Sequence, residues 1–386
     1  MTETDVVIVA AKRTPIGRFL GGLAGFSAVE LACAAGDAAI HEIDRSQIDL
    51  VVLGNVLAAG QGMNIARQVG VRLRLPLECP AFTTNMMCAS GLQALLQAEQ
   101  AIRGGDARVV LCGGTESMSN APYLLPKGRQ GFKLGNVSAV DAILHDGLVD
   151  SFDHQHMGLS VERLATEFVI SRSEQDEFAV QSQTRYAAAA RSGIFDREIV
   201  PVGQLKQDEH PRGGTTLETL GQLKPAFRPD GTVTAGNASG INDGAAMLVV
   251  AERAWALKQG WPILATLDGG TVQGCDPGRM GLGPVHAIHK LCHRRGWTLN
   301  EFETIEINEA FAVQTLACQR ELNIASSRLN PCGGAIAMGH PIGASGARLA
   351  VHLAHRIAAG EITSGLASLC VGGGMGIAVA FRKKPS

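Results

Sequence analysis

The stretch GGAIAMGHPIGASGARLAVHLAHRIAAGEITSGLASLCVGGGMG, residues 333–376, decides the fold. A glycine-rich turn carries His340, and an apolar helix is predicted to begin near Ala344. A strand over Leu366–Val371 then brings Cys370 to the start of a second glycine-rich turn. The stretch therefore predicts a turn–helix–strand–turn unit with a histidine in one turn and a cysteine at the other.

The same order of elements occurs upstream, in TTNMMCASGLQALLQAEQAIRGGDARVVLCGGTESM, residues 83–118. In both stretches Ala-Ser-Gly opens a helix, and the following strand ends in Leu-Cys and glycines. Self-similarity of this kind predicts a duplicated domain. The two halves would face each other and bring Cys88, His340 and Cys370 to one seam. Cys112 would take the place of Cys370 in the first half, and we assign it to packing.

Composition describes an ordinary globular protein. The 386 residues are 46% hydrophobic and 18% charged, which is enough chain for two or three packed units. The formal charge of −2 gives no electrostatic footprint for nucleic acid. No apolar run reaches the ~20 residues that span a bilayer, so no membrane partner is expected. The N-terminus passes almost at once into a predicted strand, which leaves no room for a targeting peptide and indicates a cytoplasmic location.

Cysteine and histidine spacing predicts neither a disulfide framework nor a metal site. The nine cysteines are an odd number and include no Cys-x-x-Cys pair. Three histidine pairs stand at short spacing but lack acidic or cysteine companions at ligand spacing: His154 and His156, His286 and His289, His352 and His355. We predict solvated or packed faces for the last two pairs. No P-loop and no complete dinucleotide fingerprint occurs either, so a nicotinamide-dependent dehydrogenase is excluded.

Strands that alternate with helices indicate an α/β layered architecture. Buried strands are predicted at Val6–Ala10, Leu50–Leu53 and Arg108–Cys112. A helix over Ser27–Ile43 begins with the spacing of a capping box, with Ser27 as the N-cap and Glu30 three residues later. The helix that follows Cys88 is expected to end at Gly104-Gly105.

The regular pattern is interrupted between the two predicted halves. From about Ser117 to Ala235 the alternation of strands and helices breaks, and Asp208–Pro229 is a long proline- and glycine-punctuated segment that is typical of a functional excursion. We therefore divide the chain into an N-terminal half over 1–117, completed by 242–262, an inserted loop domain over 118–241, and a C-terminal half over 263–386.

Three side chains are candidates for chemistry. Cys88 lies just before a predicted helix, where the helix dipole and free amides favour a thiolate. His340 lies in the turn GHPIG and could be presented to a cavity as a base. Cys370 precedes three glycines, 372–374, whose amides could bind a developing oxyanion. The alternatives stay open, because either cysteine could be a buried packing residue and the histidine a surface residue.

The chain as a whole resembles the thiolases, and among them the biosynthetic acetyl-CoA acetyltransferases. The resemblance is carried by six motifs in order: NMMCASG (85–91), GGTESM (113–118), VTAGNASGINDGA (233–245), NEAF (308–311), GHPIGASG (339–346) and CVGGG (370–374). It implies a five-layered αβαβα fold of two similar halves with an inserted loop domain. It also implies an acetyl-CoA C-acetyltransferase, which condenses two acetyl-CoA to acetoacetyl-CoA and CoA, or runs the reverse thiolysis.

The resemblance implies roles for five residues in a ping-pong Claisen reaction that uses no cofactor beyond the CoA substrates. Cys88 would be the nucleophile that becomes acetylated, activated by His340. Cys370 would act as general acid and base. His340, with a water held by Asn308, would form one oxyanion hole, and the amides of Cys88 and Gly372 would form the second.

The resemblance also implies how CoA would bind. Ser239 would hold the pantetheine amide region, Arg212 would lie near the nucleotide end, and Met157 would narrow the acyl pocket. The expected lining of the tunnel is Leu148, His156, Ala226, Phe227, Ala235, Ala310 and Phe311. The loop Phe132–Asn136 resembles a tetramerisation loop, which implies a homotetramer.

The chain departs from the family pattern at three places. Gln155 replaces the usual aromatic residue before His156, Pro331-Cys332 replaces an asparagine-containing pair, and Ala89 stands where glycine is frequent. The alternatives are a broader-range 3-ketoacyl-CoA thiolase, a decarboxylating condensing enzyme of the ketoacyl synthase type, and a non-catalytic acyl-CoA-binding protein. The last of these would need neither of the two cysteines nor His340.

Overall fold

A computed structural model describes residues 5–383. The strands are β1 (Val6–Arg13), β2 (Gly17–Arg18), β3 (Leu50–Gly54), β4 (Ala81–Thr84), β5 (Val109–Ser117), β6 (Tyr123–Leu124), β7 (Val140–Asp141), β8 (Asn242–Glu252), β9 (Ala265–Gly274), β10 (Thr304–Ile307), β11 (Ser364–Val371) and β12 (Met375–Arg382). The helices are α1 (Ala28–Ala39), α2 (Ile65–Arg72), α3 (Ser90–Gly104), α4 (Met157–Glu167), α5 (Arg172–Arg191), α6 (Leu217–Gly221), α7 (Arg253–Gln259), α8 (Gly283–Arg295), α9 (Ala312–Glu321), α10 (Ala335–Met338) and α11 (Ser345–Ala358). Within these residues no helix has both the length and the apolarity needed to cross a membrane.

Nine strands form one continuous hydrogen-bonded ladder in the order β4-β3-β5-β8-β1-β9-β12-β11-β10, with β2 paired to β8 beside it. We call its two halves the first sheet, from β4 to β1, and the second sheet, from β9 to β10. They are joined where Val6–Ile8 of β1 pairs antiparallel with Ala265–Leu267 of β9. In the first sheet β3 runs parallel to both β4 and β5, and in the second β10 runs parallel to β11.

The helices complete five layers, as the thiolase resemblance predicted. Side chains alternate along each strand, so that on β1 Val6 and Ile8 face the central core while Val7 and Val9 face the outer helix α1. The central core lies between the sheets and contains α3 and α11. The other face of the second sheet packs against α8 and α9. The layer order is therefore outer helices, sheet, α3 with α11, sheet, outer helices.

The two central helices begin against each other. A Cβ added to Gly91 would lie 2.9 Å from the backbone nitrogen of Ala347, and one added to Gly346 would lie 2.7 Å from Cβ of Leu92. Only glycine permits this approach at both positions. The matching Ala-Ser-Gly triplets of the duplicated halves thus lie side by side and place both glycine-rich turns at one seam.

Local signals identified several helix ends correctly. Ser27 and Glu30 form the predicted capping box of α1, although the helix ends at Ala39 rather than Ile43. Gly105 takes the left-handed conformation that ends α3. A second capping box, formed by Ser171 and Glu174, begins α5 in the same way.

Residues 118–241 leave the first sheet after β5 and return to it as β8. Two helices of this segment, α4 and α5, pack against α9 on the outer side of the second sheet.

A buried ionic cluster fixes a later part of the segment to the core. Arg13 of β1 donates to Glu198 (Nε–Oε2, 2.8 Å) and to Asp208 (Nη1–Oδ1, 2.7 Å), and Tyr186 donates to Asp208 (3.1 Å). His352 of α11 completes the cluster, with Nδ1 2.6 Å from Oε1 of Glu198.

Two predictions about individual side chains were wrong. His352 does have an acidic companion, because Glu198 comes from a segment far away in the sequence. Cys112 is not equivalent to Cys370. Cys112 faces the central core, whereas Cys370 lies on the opposite face of its own sheet, toward α9. Its assignment to packing holds, since Cys112 is fully buried in that core.

Candidate active site

One cavity at the seam collects most of the predicted site residues. It has a volume of about 200 Å³ and lies beside the start of α3 and the end of β11. It is lined by Cys88, Met118, Leu148, His156, Met157, Phe227, Ala238, Ser239, Gly240, Ile241, Met280, Ala310, Phe311, His340, Ile342, Cys370 and Gly372. Two thiols, a histidine and a mostly apolar wall therefore share one enclosed space.

Cys88 lies in a tight turn two residues before α3. Met87 takes a left-handed backbone with φ of 48°, and the hydroxyl of Ser90 accepts from the Met86 amide (2.8 Å) and donates to the Met87 carbonyl (2.7 Å). Burial raises the pKa of the Cys88 thiol to about 12, although the backbone amides of Cys88 and Gly372 act in the opposite direction. The expectation that the helix terminus favours a thiolate was wrong, because burial outweighs it. Cys88 is therefore a thiol at neutral pH, and a role as nucleophile would require a base.

His340 is held by its backbone and by its ring. Its amide donates to Oδ1 of Asn242 (2.8 Å), and its Nδ1 lies 2.6 Å from the hydroxyl of Ser345. The Asn308 amide nitrogen lies 3.4 Å from Nδ1 and 3.5 Å from Nε2. Burial, with a smaller effect of Arg348, lowers the pKa of His340 to about 3. The imidazole is therefore neutral at pH 7 and can accept a proton.

Cys370 lies at the end of β11 and faces the cavity. Burial raises the pKa of its thiol well above the usual value, and the nearby Cys88 adds to this rise. The turn after it needs glycine, since Gly373 and Gly374 have φ of 83° and 82°. At Gly372 a Cβ would lie 3.0 Å from the Met157 sulfur. Both thiols are thus protonated at rest.

Aromatic rings form part of the cavity lining. His156 stacks on Phe227 with ring centroids 4.6 Å apart, and Phe227 meets Phe311 edge-on at 6.2 Å. A Cβ on Gly158 would lie 2.3 Å from the Phe227 ring, so glycine there makes room for the stack. Ser239 donates from its hydroxyl to the Ala310 carbonyl (3.1 Å). These contacts build a rigid apolar wall with a few polar atoms, as in small-molecule sites.

Most residues chosen from the sequence line the cavity, but four do not. Asn308 lies against the His340 ring without reaching the cavity wall. Arg212, Ala226 and Ala235 are exposed, with Arg212 donating to the Ala235 carbonyl (3.1 Å). Sequence reasoning missed six lining residues: Met118, Ala238, Gly240, Ile241, Met280 and Ile342. Five of them lie inside the quoted motifs, and Met280 carries no sequence signal.

Comparison with known proteins identifies the family. The thiolase N-terminal domain model matches residues 6–254, and the thiolase C-terminal domain model matches residues 261–383. The chain belongs to the thiolase family. It is therefore an acyltransferase, as the resemblance implied.

Relatives extend over nearly the whole chain. An acetyl-CoA acetyltransferase of Pseudomonas aeruginosa is 47% identical, covering 98% of this chain and 99% of the relative. A protein of Staphylococcus epidermidis described as a probable acetyl-CoA acyltransferase is 46% identical, with 98% of each chain covered. The crystal structure of human mitochondrial 3-ketoacyl-CoA thiolase superposes with a TM-score of 0.97 at 42% identity, covering 100% of both chains. The crystal structure of the human mitochondrial 3-ketoacyl-CoA thiolase in complex with CoA superposes with a TM-score of 0.96 at 42% identity. It covers 99% of this chain and 98% of the human chain.

Proposed function

We propose that this thiolase is an acetyl-CoA C-acetyltransferase, which interconverts two acetyl-CoA with acetoacetyl-CoA and CoA through an acetyl-Cys88 intermediate. The observation that carries the proposal is the convergence of Cys88, His340 and Cys370 on one cavity of about 200 Å³. The names of relatives such as the Pseudomonas aeruginosa acetyltransferase support the choice of acetyl-CoA. No cofactor besides the CoA substrates is part of the proposal.

The first half-reaction would acetylate the enzyme. The Cys88 sulfur attacks the thioester carbonyl carbon of acetyl-CoA while its proton passes to His340. The carbon–sulfur bond to CoA then breaks, and the departing CoA thiolate takes the proton of the Cys370 thiol, which leaves Cys370 as a thiolate. The amides of Cys88 and Gly372, which already act on the Cys88 sulfur, are suited to stabilise the oxyanion that forms on the carbonyl oxygen.

The second half-reaction would form the carbon–carbon bond. The Cys370 thiolate left by the first half-reaction removes a proton from the methyl carbon of the second acetyl-CoA, and His340 with a water on Asn308 would stabilise the enolate oxygen. The carbanion attacks the carbonyl carbon of acetyl-Cys88, and the bond to the Cys88 sulfur breaks to release acetoacetyl-CoA. The Cys88 sulfur then takes back the proton held by His340, which restores the resting site. The proximity of Cys88 and Cys370 supports this division of work, since one sulfur acts as nucleophile and the other as proton carrier.

CoA binding is proposed along the aromatic wall. Ser239 would hold the pantetheine amide region, and the expected tunnel would continue from the cavity toward the exposed Ala226 and Ala235, with Arg212 near the nucleotide. The CoA complex of the human thiolase supports a CoA site in this fold. Met157, whose sulfur lies close to Gly372, limits the acyl chain.

Thiolysis of acetoacetyl-CoA by the purified protein with free CoA tests the function. We expect turnover that Cys88→Ala abolishes and that Cys112→Ala, a matched change at a buried thiol facing the central core, leaves intact. Mass spectrometry after mixing with acetyl-CoA alone should show one acetyl group on Cys88. No turnover and no acetylation, with acyl-CoA still bound, would replace the proposal with an acyl-CoA-binding protein.

Chain length discriminates the second candidate, a broader-range 3-ketoacyl-CoA thiolase, which the similarity to the human enzyme favours. Rates with 3-ketoacyl-CoAs of increasing length should fall steeply beyond acetoacetyl-CoA if Met157 limits the pocket. Comparable rates with long chains would establish the broader enzyme. A requirement for a carrier-protein substrate would instead favour the ketoacyl synthase type.

We further propose a homotetramer in the cytoplasm. Exposed apolar side chains on the inserted segment, among them Phe132 at 49% and Leu134 at 106% exposure, support self-association there. All nine cysteines are unpaired, which suits a reducing compartment. Sedimentation or light scattering measures the mass in solution, which should be that of a tetramer. The Leu134→Asp variant should have a lower mass in solution than the wild type.

A further inference from the structure

Each active-site turn ends on a buried serine that opens a central helix. Ser90 opens α3 after the Cys88 turn, and Ser345 opens α11 after the His340 turn. In neither case does the preceding N-cap alanine use its side chain to cap the helix. The hydroxyls of both serines instead reach backward into the turns, so the duplication has placed the same side chain beneath both halves of the site.

The contacts of the Ser345 hydroxyl determine which ring nitrogen of His340 carries the proton. The hydroxyl donates its single proton to the Pro341 carbonyl (2.9 Å). Its oxygen can then only accept at the 2.6 Å contact with Nδ1 of His340, so Nδ1 carries the hydrogen. Because burial keeps the imidazole neutral, Nε2 is left with the free lone pair. That nitrogen is the one able to take a proton from substrate or thiol.

We propose that Ser345 is a positioning residue that fixes the Nδ1–H tautomer and the ring orientation of His340. The proposal rests on the proposed role of His340 as a base. Ser90 gives the internal comparison, since its hydroxyl joins two backbone atoms of the Cys88 turn and touches no titratable group. Ser345 thus acts on protonation as well as on the shape of a turn.

Substitution of Ser345 tests the proposal in two independent readouts. In Ser345→Ala we expect kcat for acetoacetyl-CoA thiolysis to fall roughly 10- to 100-fold, the loss typical of one hydrogen bond to a group that becomes charged, with KM for CoA within about twofold. Ring ¹⁵N shifts in histidine-labelled protein, assigned with His340→Gln, should show protonated Nδ1 in the wild type and a mixture of tautomers in the variant.

Ser364→Ala is the matched control. Ser364 is a buried serine at the far end of β11 whose hydroxyl donates to the Glu301 carbonyl (2.8 Å), and its loss should change neither kcat nor the His340 shifts. Ser90→Ala should lower kcat without changing the His340 tautomer. If Ser345→Ala does not fold, Ser345→Cys keeps most of the volume and should give an intermediate mixture of tautomers.

The outcomes separate this proposal from the proposed function. A wild-type Nε2–H tautomer, or unchanged shifts in Ser345→Ala, would overturn the role of Ser345 even if the enzyme is active. Absence of turnover in the wild type would overturn the proposed function, while the ring shifts would still decide whether Ser345 fixes the tautomer. A fall in kcat with unchanged shifts would assign Ser345 to the turn alone.

Discussion

Removing the charge of Glu198 should destabilise the fold strongly, although Glu198 lies outside the cavity. The cluster balances two cations, Arg13 and His352, against two carboxylates, Glu198 and Asp208, and all four side chains are at least 98% buried. Burial opposes the protonation of His352, yet the Glu198 carboxylate raises its pKa to about 10. Glu198→Gln keeps the size of the side chain and removes the carboxylate that His352 contacts directly.

The expected cost follows from the burial of the pair. Breaking a buried ion pair by removing one partner costs about 3–5 kcal/mol, whereas a surface pair contributes about 0–1 kcal/mol. Glu361→Gln is the matched control, because Glu361 forms partly exposed pairs with Arg197 (3.5 Å) and Arg356 (3.3 Å). Urea unfolding at one fixed protein concentration measures the free energy of unfolding of the wild type and of both variants. Equal losses in the two variants would refute the reasoning.

The pH dependence of the same variant gives a second check. The pKa of His352 is raised in the folded protein. Its contribution to the free energy of unfolding is therefore complete below about pH 6.5 and is lost as the pH rises toward about 10. Burial alone would raise the pKa of Glu198, but His352 and Arg13 lower it to about 2. The contribution of Glu198 to the free energy of unfolding is therefore present above about pH 4.5 and is lost as the pH falls toward 2. The stability difference between wild type and Glu198→Gln should therefore be largest between about pH 4.5 and 6.5. A difference that does not change up to pH 10 would contradict a protonated His352.

Two substitutions in the cavity complete the predictions. Gly372→Ala would place a Cβ 3.0 Å from the Met157 sulfur, so we expect kcat to fall at least about tenfold. An unchanged kcat would show that the Met157 thioether moves aside. Phe227→Ala removes the stack on His156, at 4.6 Å between ring centroids, and the edge contact with Phe311. KM for CoA should rise roughly 5- to 10-fold with kcat little changed, which corresponds to a loss of about 1 kcal/mol in the free energy of CoA binding. A kcat loss without a KM change in steady-state thiolysis would place Phe227 in the chemical step instead.

Signals that depend on neighbouring residues predicted local structure well. The capping box of Ser27 and Glu30 and the glycine end of α3 need only a few adjacent residues, and the structure has both. The repeat of Ala-Ser-Gly predicted correctly that the two turns meet, because the glycines are needed only where two helices approach closely. The cavity therefore contains Cys88, His340 and Cys370 as the sequence predicted.

Properties that depend on the face of a strand or on distant partners could not be predicted in this way. The match between Cys112 and Cys370 used the shared Leu-Cys pair and the glycines after it. Such a local match does not fix the register of the strand, and register decides which face a side chain takes. The partner of His352 lies 154 residues away in the sequence, so no spacing rule could find it. The pKa of Cys88 was misjudged because a helix terminus can be recognised in a sequence, whereas the extent of burial cannot.

The uncharged resting site has a consequence for the proposed catalysis. Cys88 and Cys370 are thiols and His340 is neutral at pH 7, so the cavity holds no formed ion pair before substrate arrives. In the proposed reaction charge appears only as the thioester reacts, and the amides of Cys88 and Gly372, which act on the Cys88 sulfur, would meet it there. Donors that meet charge chiefly in the transition state raise kcat, because they stabilise that state more than bound substrate. Burial, which makes each group a poor acid or base alone, therefore suits a site in which the proton moves together with the reacting bond.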